Sequence, residues 1–390
     1  MIVNRERIVS EFVDLVSIDS ESLNEREMAD ALTLKLSEIG FDVEEDCVDD
    51  IIDGNAGNLY GILKGDPSKT PILLSGHMDT VKPGIGKVAS IDSDGKITSA
   101  GDTVLGADDL GGVVAILEGV RMAKASGKPM GDVEVLFSVC EEVYGKGAAN
   151  FDYSNIKSKI AYALDLTEAP GIAATKAPSI VSFKAKILGK AAHSGFEPEK
   201  GLNALQAAAK AITRIEQGHV GDMTVNIGTI KAGKANNIVA EECTVTGEVR
   251  GFDHDAVIDV VEKIGDIFEE EAENLILESE LQAESFRADH EKGRKQGECQ
   301  FDYKVNIHAF DIPHDAEVCK RFKSACERLG LSGELVSTHG GSDNAFFVEK
   351  GIEGIVLSCG MYDVHSVNEY TYVEDLVKGA ELVAELLVGE

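Results

Sequence analysis

Tryptophan is absent from this chain, and aromatic residues make up only 6% of its 390 positions, so the core it builds must be aliphatic and alanine-rich. Cations are scarce as well: 37 Lys and Arg stand against 69 Asp and Glu, a formal charge of -32. Such a field repels phosphate backbones and anionic lipid heads, which argues against nucleic acid and membrane surfaces as partners. Its plain reading is solubility. No apolar run approaches the ~20 residues of a membrane helix, and the opening MIVNRERIVSEF lacks the apolar stretch of a secretory signal. Cys47, Cys140, Cys243, Cys299, Cys319, Cys326 and Cys359 form no CxxC pair, and an odd, dispersed set reads as reduced thiols rather than a disulfide framework. A cytoplasmic location is the expectation. The length exceeds a usual single core, which predicts two domains.

What is present is organised around PILLSGHMDTV, residues 71–81. An apolar run ends at Ser75-Gly76 and delivers His77 and Asp79 to a strand end, where α/β sheets open their crevices. Before it, residues 4–18 and 24–39 read as helices, the second with Met28, Leu32, Leu34 and Leu36 as an imperfect apolar stripe stopped by Gly40. FDVEEDCV and NLYGILKG read as strands, and residues 82–107 as loop and hairpin. A helix starts near Gly111, then come strands VEVLFSVC (133–140) and IAYALDL (160–166). This alternation predicts an α/β catalytic domain whose central mixed sheet is flanked by helices.

The pattern changes near residue 178. SIVSFKAKILG, the helix GLNALQAAAKAITRIEQ, the strands MTVNIGTI and ECTVTGEVRGFD, an acidic helix from about Ala256 and FDYKVNIHAF follow in the order β-α-β-β-α-β. That is the split ferredoxin-like unit. It is expected as an α+β insertion over 178–310 within a domain formed by 1–177 and 311–390. The charge-rich blocks 267–284 and 290–298 read as a solvated helix and loop. After residue 313 the pattern gives a helix, AEVCKRFKSACERLG, with Cys319 and Cys326 in the core. THGGSDNAFF reads as a turn into a helix, IEGIVLSCG as a strand and YTYVEDLVKGAELVAELL as a last helix.

Acids and imidazoles gather at strand ends and turns: His77 with Asp79, Asp108-Asp109, Glu141-Glu142, Asp165 and His365. Each has a plain reading alone. Asp109 can cap the helix starting near Gly111, and Glu141-Glu142 can be a solvated strand end. Their joint occurrence after apolar strands points instead to one shared sheet edge. Mixed His and carboxylate donors without Cys suit Zn²⁺, Co²⁺ or Mn²⁺ at hydrolytic sites, and the set suffices for two ions if one carboxylate bridges.

GHMDTV, GADDLGG, the EE pair after an apolar strand, the Asp of YALDL, and HSVNE together resemble the signatures of the dizinc metallopeptidase and deacylase family. That family includes peptidase T, acetylornithine deacetylase, succinyl-diaminopimelate desuccinylase and glutamate carboxypeptidase. The resemblance covers nearly the whole chain, and GADDLGG, AAHSGFEPEKGLNAL and HGGSDNAFF are most similar to the peptidase T-like branch. It implies a zinc-peptidase-like catalytic domain with an inserted lid and dimerisation domain, two divalent metals (zinc, or cobalt or manganese) and a homodimer through the lid. It further implies that His77 and Asp165 bind one metal, Glu142 and His365 the other, and Asp108 both, with a cis peptide between Asp108 and Asp109. Asp79 would hydrogen-bond the free nitrogen of His77. Adjacency leaves the roles of Glu141 and Glu142 open; the family order makes Glu141 the general base. His193 matches the lid histidine that polarises the scissile carbonyl, and Asn237 and Arg250 a pair that binds the substrate carboxylate. A surface ion pair is the alternative for Arg250, and a simple helix-opening turn the alternative to substrate approach at Gly340-Gly341.

The chain departs from the family pattern at His339, where tripeptidases carry Arg before the Gly-Gly turn, so one contact to the peptide terminus is either missing or replaced there and a tripeptide preference does not follow from the resemblance. His219, His254, His290, His308 and His314 match no motif and read as surface or structural. The resulting expectation is a cytoplasmic, metal-dependent aminopeptidase of short peptides. An N-acyl-amino-acid deacylase or carboxypeptidase, and an inactive scaffold that keeps the fold, are the alternatives.

Overall fold

The computed structural model describes residues 2–277 and 296–389. His290 and the parts 278–284 and 290–295 of the charge-rich blocks lie outside the described residues. The chain forms two compact units, Met1–Ala177 with Phe310–Glu390, and Pro178–Ala309.

In the first unit, α1 (Arg5–Val16) is capped by Asn4, whose side chain accepts the Arg7 N–H, and α2 (Arg26–Ile39) stops at Gly40 in the left-handed region. Met28, Leu32 and Leu36 are buried, but Leu34 is exposed, because a two-residue step turns a side chain off the helix face. Strand β1 (Asp42–Glu45), α3 (Asp49–Ile52), β2 (Leu59–Leu63) and β3 (Ile72–His77) follow, then the hairpin β4 (Ala89–Ile91) and β5 (Lys96–Ser99). Next come α4 (Ala107–Ser126), β6 (Val133–Ser138), α5 (Lys146–Ala149), β7 (Ile160–Leu166) and β8 (Ile172–Ala177), the last a strand that the sequence pattern does not announce.

The second unit runs β9 (Ser179–Leu188), α6 (Ala204–Arg214), β10 (Gly218–Val220), β11 (Met223–Ala232), β12 (Glu242–Gly251), α7 (His254–Leu277) and β13 (Glu298–Ile307). Its sheet has the order β10-β11-β12-β9-β13 with antiparallel neighbours, the ferredoxin-like arrangement apart from the short β10. Alternate residues of β9 (Val181, Phe183, Ala185 and Ile187) meet α6 and α7 in an alanine-rich core.

The chain returns to the first unit one residue earlier than the sequence suggests: β14 (Phe310–Asp311) already pairs with β8, Phe310 opposite Ala177. Then come α8 (Glu317–Leu329), β15 (Glu334–Ser337), α9 (Asn344–Glu349), β16 (Glu353–Ser358), β17 (Tyr370–Tyr372) and α10 (Val373–Val388). Tyr370–Tyr372, expected as the start of the last helix, is a strand paired with β5; its three-residue aromatic and β-branched run suits a pleated edge.

The central sheet has the order β1-β2-β6-β3-β7-β16-β8-β14, with β15 beside β8. Strands β6, β3, β7 and β16 are mutually parallel and the flanking pairs β1–β2, β2–β6 and β16–β8 antiparallel, a mixed sheet. Every residue of β3 and β6 is buried, as expected of strands covered on both faces. Helix α4 packs on β3 and β7, and α10 packs on α4. Gly119 permits that approach: a Cβ there would meet Val383 at 2.6 Å.

Candidate metal centre

Parallel strands end together, so the residues after them share one edge. His77 closes β3, Asp165 lies near the end of β7, and Glu141-Glu142 follow β6 after a left-handed turn at Cys140. His365 sits in a loop after β16, itself in the left-handed region. Asp108 and Asp109 lie at the start of α4, joined by a cis peptide bond and with non-helical backbone angles.

These side chains converge. His77 Nε2 lies 3.0 Å from Asp108 Oδ1 and 3.9 Å from Asp165 Oδ1. His365 Nε2 lies 3.2 Å from Asp108 Oδ2 and 3.0 Å from Glu142 Oε2. Two triads result, His77–Asp108–Asp165 and Asp108–Glu142–His365, with the ligand atoms of each within 4.8 Å of one another and Asp108 common to both. Each offers the three-donor set typical of a hydrolytic metal with an open position. Glu142 Oε1 is buried without a hydrogen-bond partner among the described residues. The donor chemistry, imidazole and carboxylate in equal reach, fits two divalent cations.

Electrostatics carry the same mark. Burial pushes Glu141 well above the ordinary carboxylate range, and the Asp165 carboxylate adds to it. Burial also raises Asp165, with Asp108 and Asp109 adding and His77 opposing. Burial acts against a charged His77, but hydrogen bonds that its ring donates to Asp108 and Asp79 outweigh it and lift its pKa. His365 is pushed up to about 10 by Asp108 and Glu142. Acids crowded in low dielectric need cations, and these imidazoles are the nearest ones the chain supplies.

Around the triads, buried carboxylates hold main chain. Asp109 accepts the His77 N–H at 3.1 Å and the Gly112 N–H, so it caps α4, the plain reading, and anchors a ligand strand at once. Glycines make room for it: a Cβ on Gly76 would meet Asp109 Oδ2 at 2.6 Å, and one on Gly112 would meet Oδ1 at 2.3 Å. Asp79 faces His77 through two of its oxygens. His77 Nδ1 lies nearest the main-chain oxygen of Asp79, at 2.9 Å, with the carboxylate at 3.4 Å. The Asp79 carboxylate also accepts the N–H groups of Glu141 and Glu142 and the Ser22 hydroxyl. Glu25 accepts the Cys140 N–H, and Ser138 donates to Asp343. Ser22 and Glu25 gave no signal in the sequence; Asp343 lies in the quoted HGGSDNAFF motif without a role.

Residues 58–215 match a model described as peptidase family M28, and residues 175–275 one described as a peptidase dimerisation domain of the M20 type. The Bacillus subtilis protein YqjE is 34% identical over 99% of this chain and 98% of its own length. A tripeptidase structure from Staphylococcus aureus superposes with a TM-score of 0.89 at 31% identity, covering 100% of this chain and 99% of the other. An aminopeptidase PepT structure from Bacillus cereus gives 0.84 at 34% identity, covering 99% and 98%. The chain belongs to the peptidase T-like M20 family. It is a peptidase, and its reaction is metal-dependent peptide hydrolysis.

In this M20 peptidase, the second unit holds His193, Asn237 and Arg250. His193 forms an isolated bridge with Ile238, and the Ser194 N–H bonds to the Asn237 carbonyl, so His193 and Asn237 sit on adjoining segments. The ring of His193 lies 4.5 Å from that of Phe196, and its Nδ1 accepts the Gly195 N–H at 3.1 Å. Arg250, on β12, pairs through Nε with Glu248 at 2.7 Å, both side chains half-buried. In the first unit, His339 and Gly340 are exposed in the turn before α9. His254 bonds Ser179 and lies tilted against the ring of His308, and His314 lies 3.4 Å from Thr175 Oγ1, as structural histidines do. His219 pairs within the β10–β11 ribbon.

Proposed function

We propose that this chain is a cytoplasmic dizinc aminopeptidase that releases the N-terminal residue of short peptides. The observation that carries the reading is the pair of ligand triads sharing Asp108, in a chain that aligns end to end with a tripeptidase and an aminopeptidase PepT. Among the described residues no helix is long and apolar enough to cross a membrane, and all the cysteines are unpaired, which agrees with a reducing compartment.

His77, Asp108 and Asp165 would hold one cation, and Asp108, Glu142 and His365 the other. When bound, such a pair supplies Lewis-acid polarisation and a water of lowered pKa. Glu141 takes the proton of the attacking water and returns it to the leaving amine; its burial and raised pKa suit a group that must hold a proton between those steps. Asp79 keeps Glu141 and Glu142 in register through their main-chain N–H groups. His193 donates from Nε2 to the substrate carbonyl, and Asn237 and Arg250 receive the substrate carboxylate, Arg250 exchanging Glu248 for it. Gly340 lets main chain approach the substrate, and His339 stands where tripeptidases carry an arginine. The match of residues 175–275 to a dimerisation domain supports a homodimer through the second unit, whose strand β11 is exposed beyond its short pairing with β10.

Hydrolysis of a free tripeptide beside its N-acetylated form, with defined Zn²⁺, Co²⁺ or Mn²⁺ loading, tests this. Release of the first residue from the free peptide alone is expected. Preference for the acylated form, or turnover that survives chelation, overturns it.

A further inference from the structure

The motif HSVNE puts Glu369 four residues after His365, and neither the ligand set nor the chemistry above uses it. Glu369 is 2% exposed. Its Oε2 accepts the N–H groups of Leu105 at 2.7 Å and Gly106 at 2.8 Å, and its Oε1 accepts the Asp108 N–H at 2.9 Å. These amides lie where α4 begins. Gly106 is in the left-handed region and Asp108 and Asp109 have non-helical angles, so no regular helix precedes them to supply acceptors. Bonds from N–H groups to a carboxylate are strong, and inside the protein their loss leaves several donors unpaired at once. The Glu369 N–H in turn bonds to the Ser366 carbonyl at 3.2 Å and closes the turn that follows His365. One side chain therefore ties the segment carrying Asp108 to the segment carrying His365.

We propose that Glu369 is a positioning residue of the metal centre. It sets the main chain from which Asp108, the carboxylate common to both triads, presents its two oxygens, one toward His77 and one toward His365. The proposal rests on the reading of those triads as metal sites.

Glu369→Gln keeps the size of the side chain but turns an amide N–H₂ toward backbone donors. The apparent affinity for Zn²⁺ or Co²⁺, measured by competition with a chromogenic chelator, should weaken about 10–100-fold, as outer partners of metal ligands typically do on substitution. The visible spectrum of the Co²⁺-loaded protein should change with it. Glu369→Asp, which keeps the charge and retracts it, should fall between the two and serves if the Gln variant does not fold. Glu134→Gln is the control. Glu134 is also buried, at the start of β6, and accepts the Lys157 and Ser158 N–H groups before β7, at the opposite end of these strands from the ligands. It should lower the melting temperature and leave metal affinity at the native value. Native affinity in the folded Glu369 variants, or an equal loss in Glu134→Gln, overturns the positioning role. A native chain that takes up no divalent cation overturns the metal-centre reading itself.

Discussion

The carboxylate of Asp79 lies 2.9 Å from the main-chain N–H of Glu141, so the acid two residues after His77 holds the proposed general base in space. Its second oxygen accepts the Glu142 N–H at 3.2 Å and the Ser22 hydroxyl at 2.7 Å. The His77 ring, meanwhile, leans on the Asp79 main-chain oxygen, which no side-chain substitution removes. Asp79→Asn should therefore keep both metals while lowering kcat by about 10–100-fold, with a smaller change in KM. Elemental analysis beside steady-state kinetics checks this. Loss of one metal in Asp79→Asn would show that the carboxylate, not the carbonyl, orients His77.

Glu141 and Glu142 are adjacent in sequence and divided by geometry. Glu142 reaches His365 at 3.0 Å and belongs to a ligand triad, whereas Glu141 belongs to neither triad. Glu142→Ala should reduce metal content from two ions toward one. Glu141→Gln should keep both and lose about 10²–10⁴-fold in kcat, the usual share of a general base. The opposite pattern of metal content would exchange the two roles.

The strand ends were legible because period and punctuation are local properties. His77, Glu141-Glu142 and Asp165 each follow an apolar run, and their strands do lie parallel and adjacent. The ferredoxin-like order of the second unit was legible for the same reason. What could not be read was which main-chain group each buried acid would hold. Glu25, Asp79 and Glu369 anchor the N–H groups of Cys140, Glu141 and Asp108, each far away in sequence, and no spacing rule encodes such a pairing. Leu34 and Tyr370–Tyr372 were misplaced because short apolar runs fit more than one period.

Metal uptake should release protons. Glu141, Asp165, His77 and His365 all hold protons more tightly than usual, and the ligands among them must give theirs up to bind a cation. Apparent metal affinity should thus fall as pH is lowered. Titrating the chelated protein with Zn²⁺ in a weakly buffered solution, with a pH electrode as readout, checks it. Uptake with no acidification would contradict the raised pKa values.

Acid should weaken the first unit through Glu11. This carboxylate is 6% exposed, bonds both terminal nitrogens of Arg121 at 2.6 and 3.0 Å, and meets Lys35 at 3.1 Å. Burial alone would raise its pKa, but Arg121 and then Lys35 outweigh burial and hold it below the ordinary 4.5. A depressed carboxylate contributes stability that is complete above its unfolded pKa and lost as pH falls through the folded one. Glu11→Gln should cost about 3 kcal/mol at neutral pH, the order expected for breaking a buried pair. The gap between variant and native protein should close in acid. Urea melts at a series of pH values measure it, and a gap independent of pH would remove Glu11 from the account.

The ring of His193 is oriented from within its own loop. A backbone N–H can only donate, so the bond from Gly195 makes Nδ1 an acceptor and places the proton of the neutral ring on Nε2. The ring then offers a donor outward, which is what polarising a carbonyl oxygen requires, while Phe196 packs against it at 4.5 Å. His193→Ala should lower kcat by about 10²–10³-fold with metal content unchanged, the size expected for one lost oxyanion donor. Gly195→Ala retains the N–H, and its Cβ would meet the ring at an ordinary 3.5 Å, so it should stay near native. Gly195→Pro removes the N–H and should free the ring to take either tautomer, which ¹⁵N shifts of the labelled imidazole report directly. A native ring protonated on Nδ1 would leave Nε2 an acceptor, and His193 could not then serve the carbonyl.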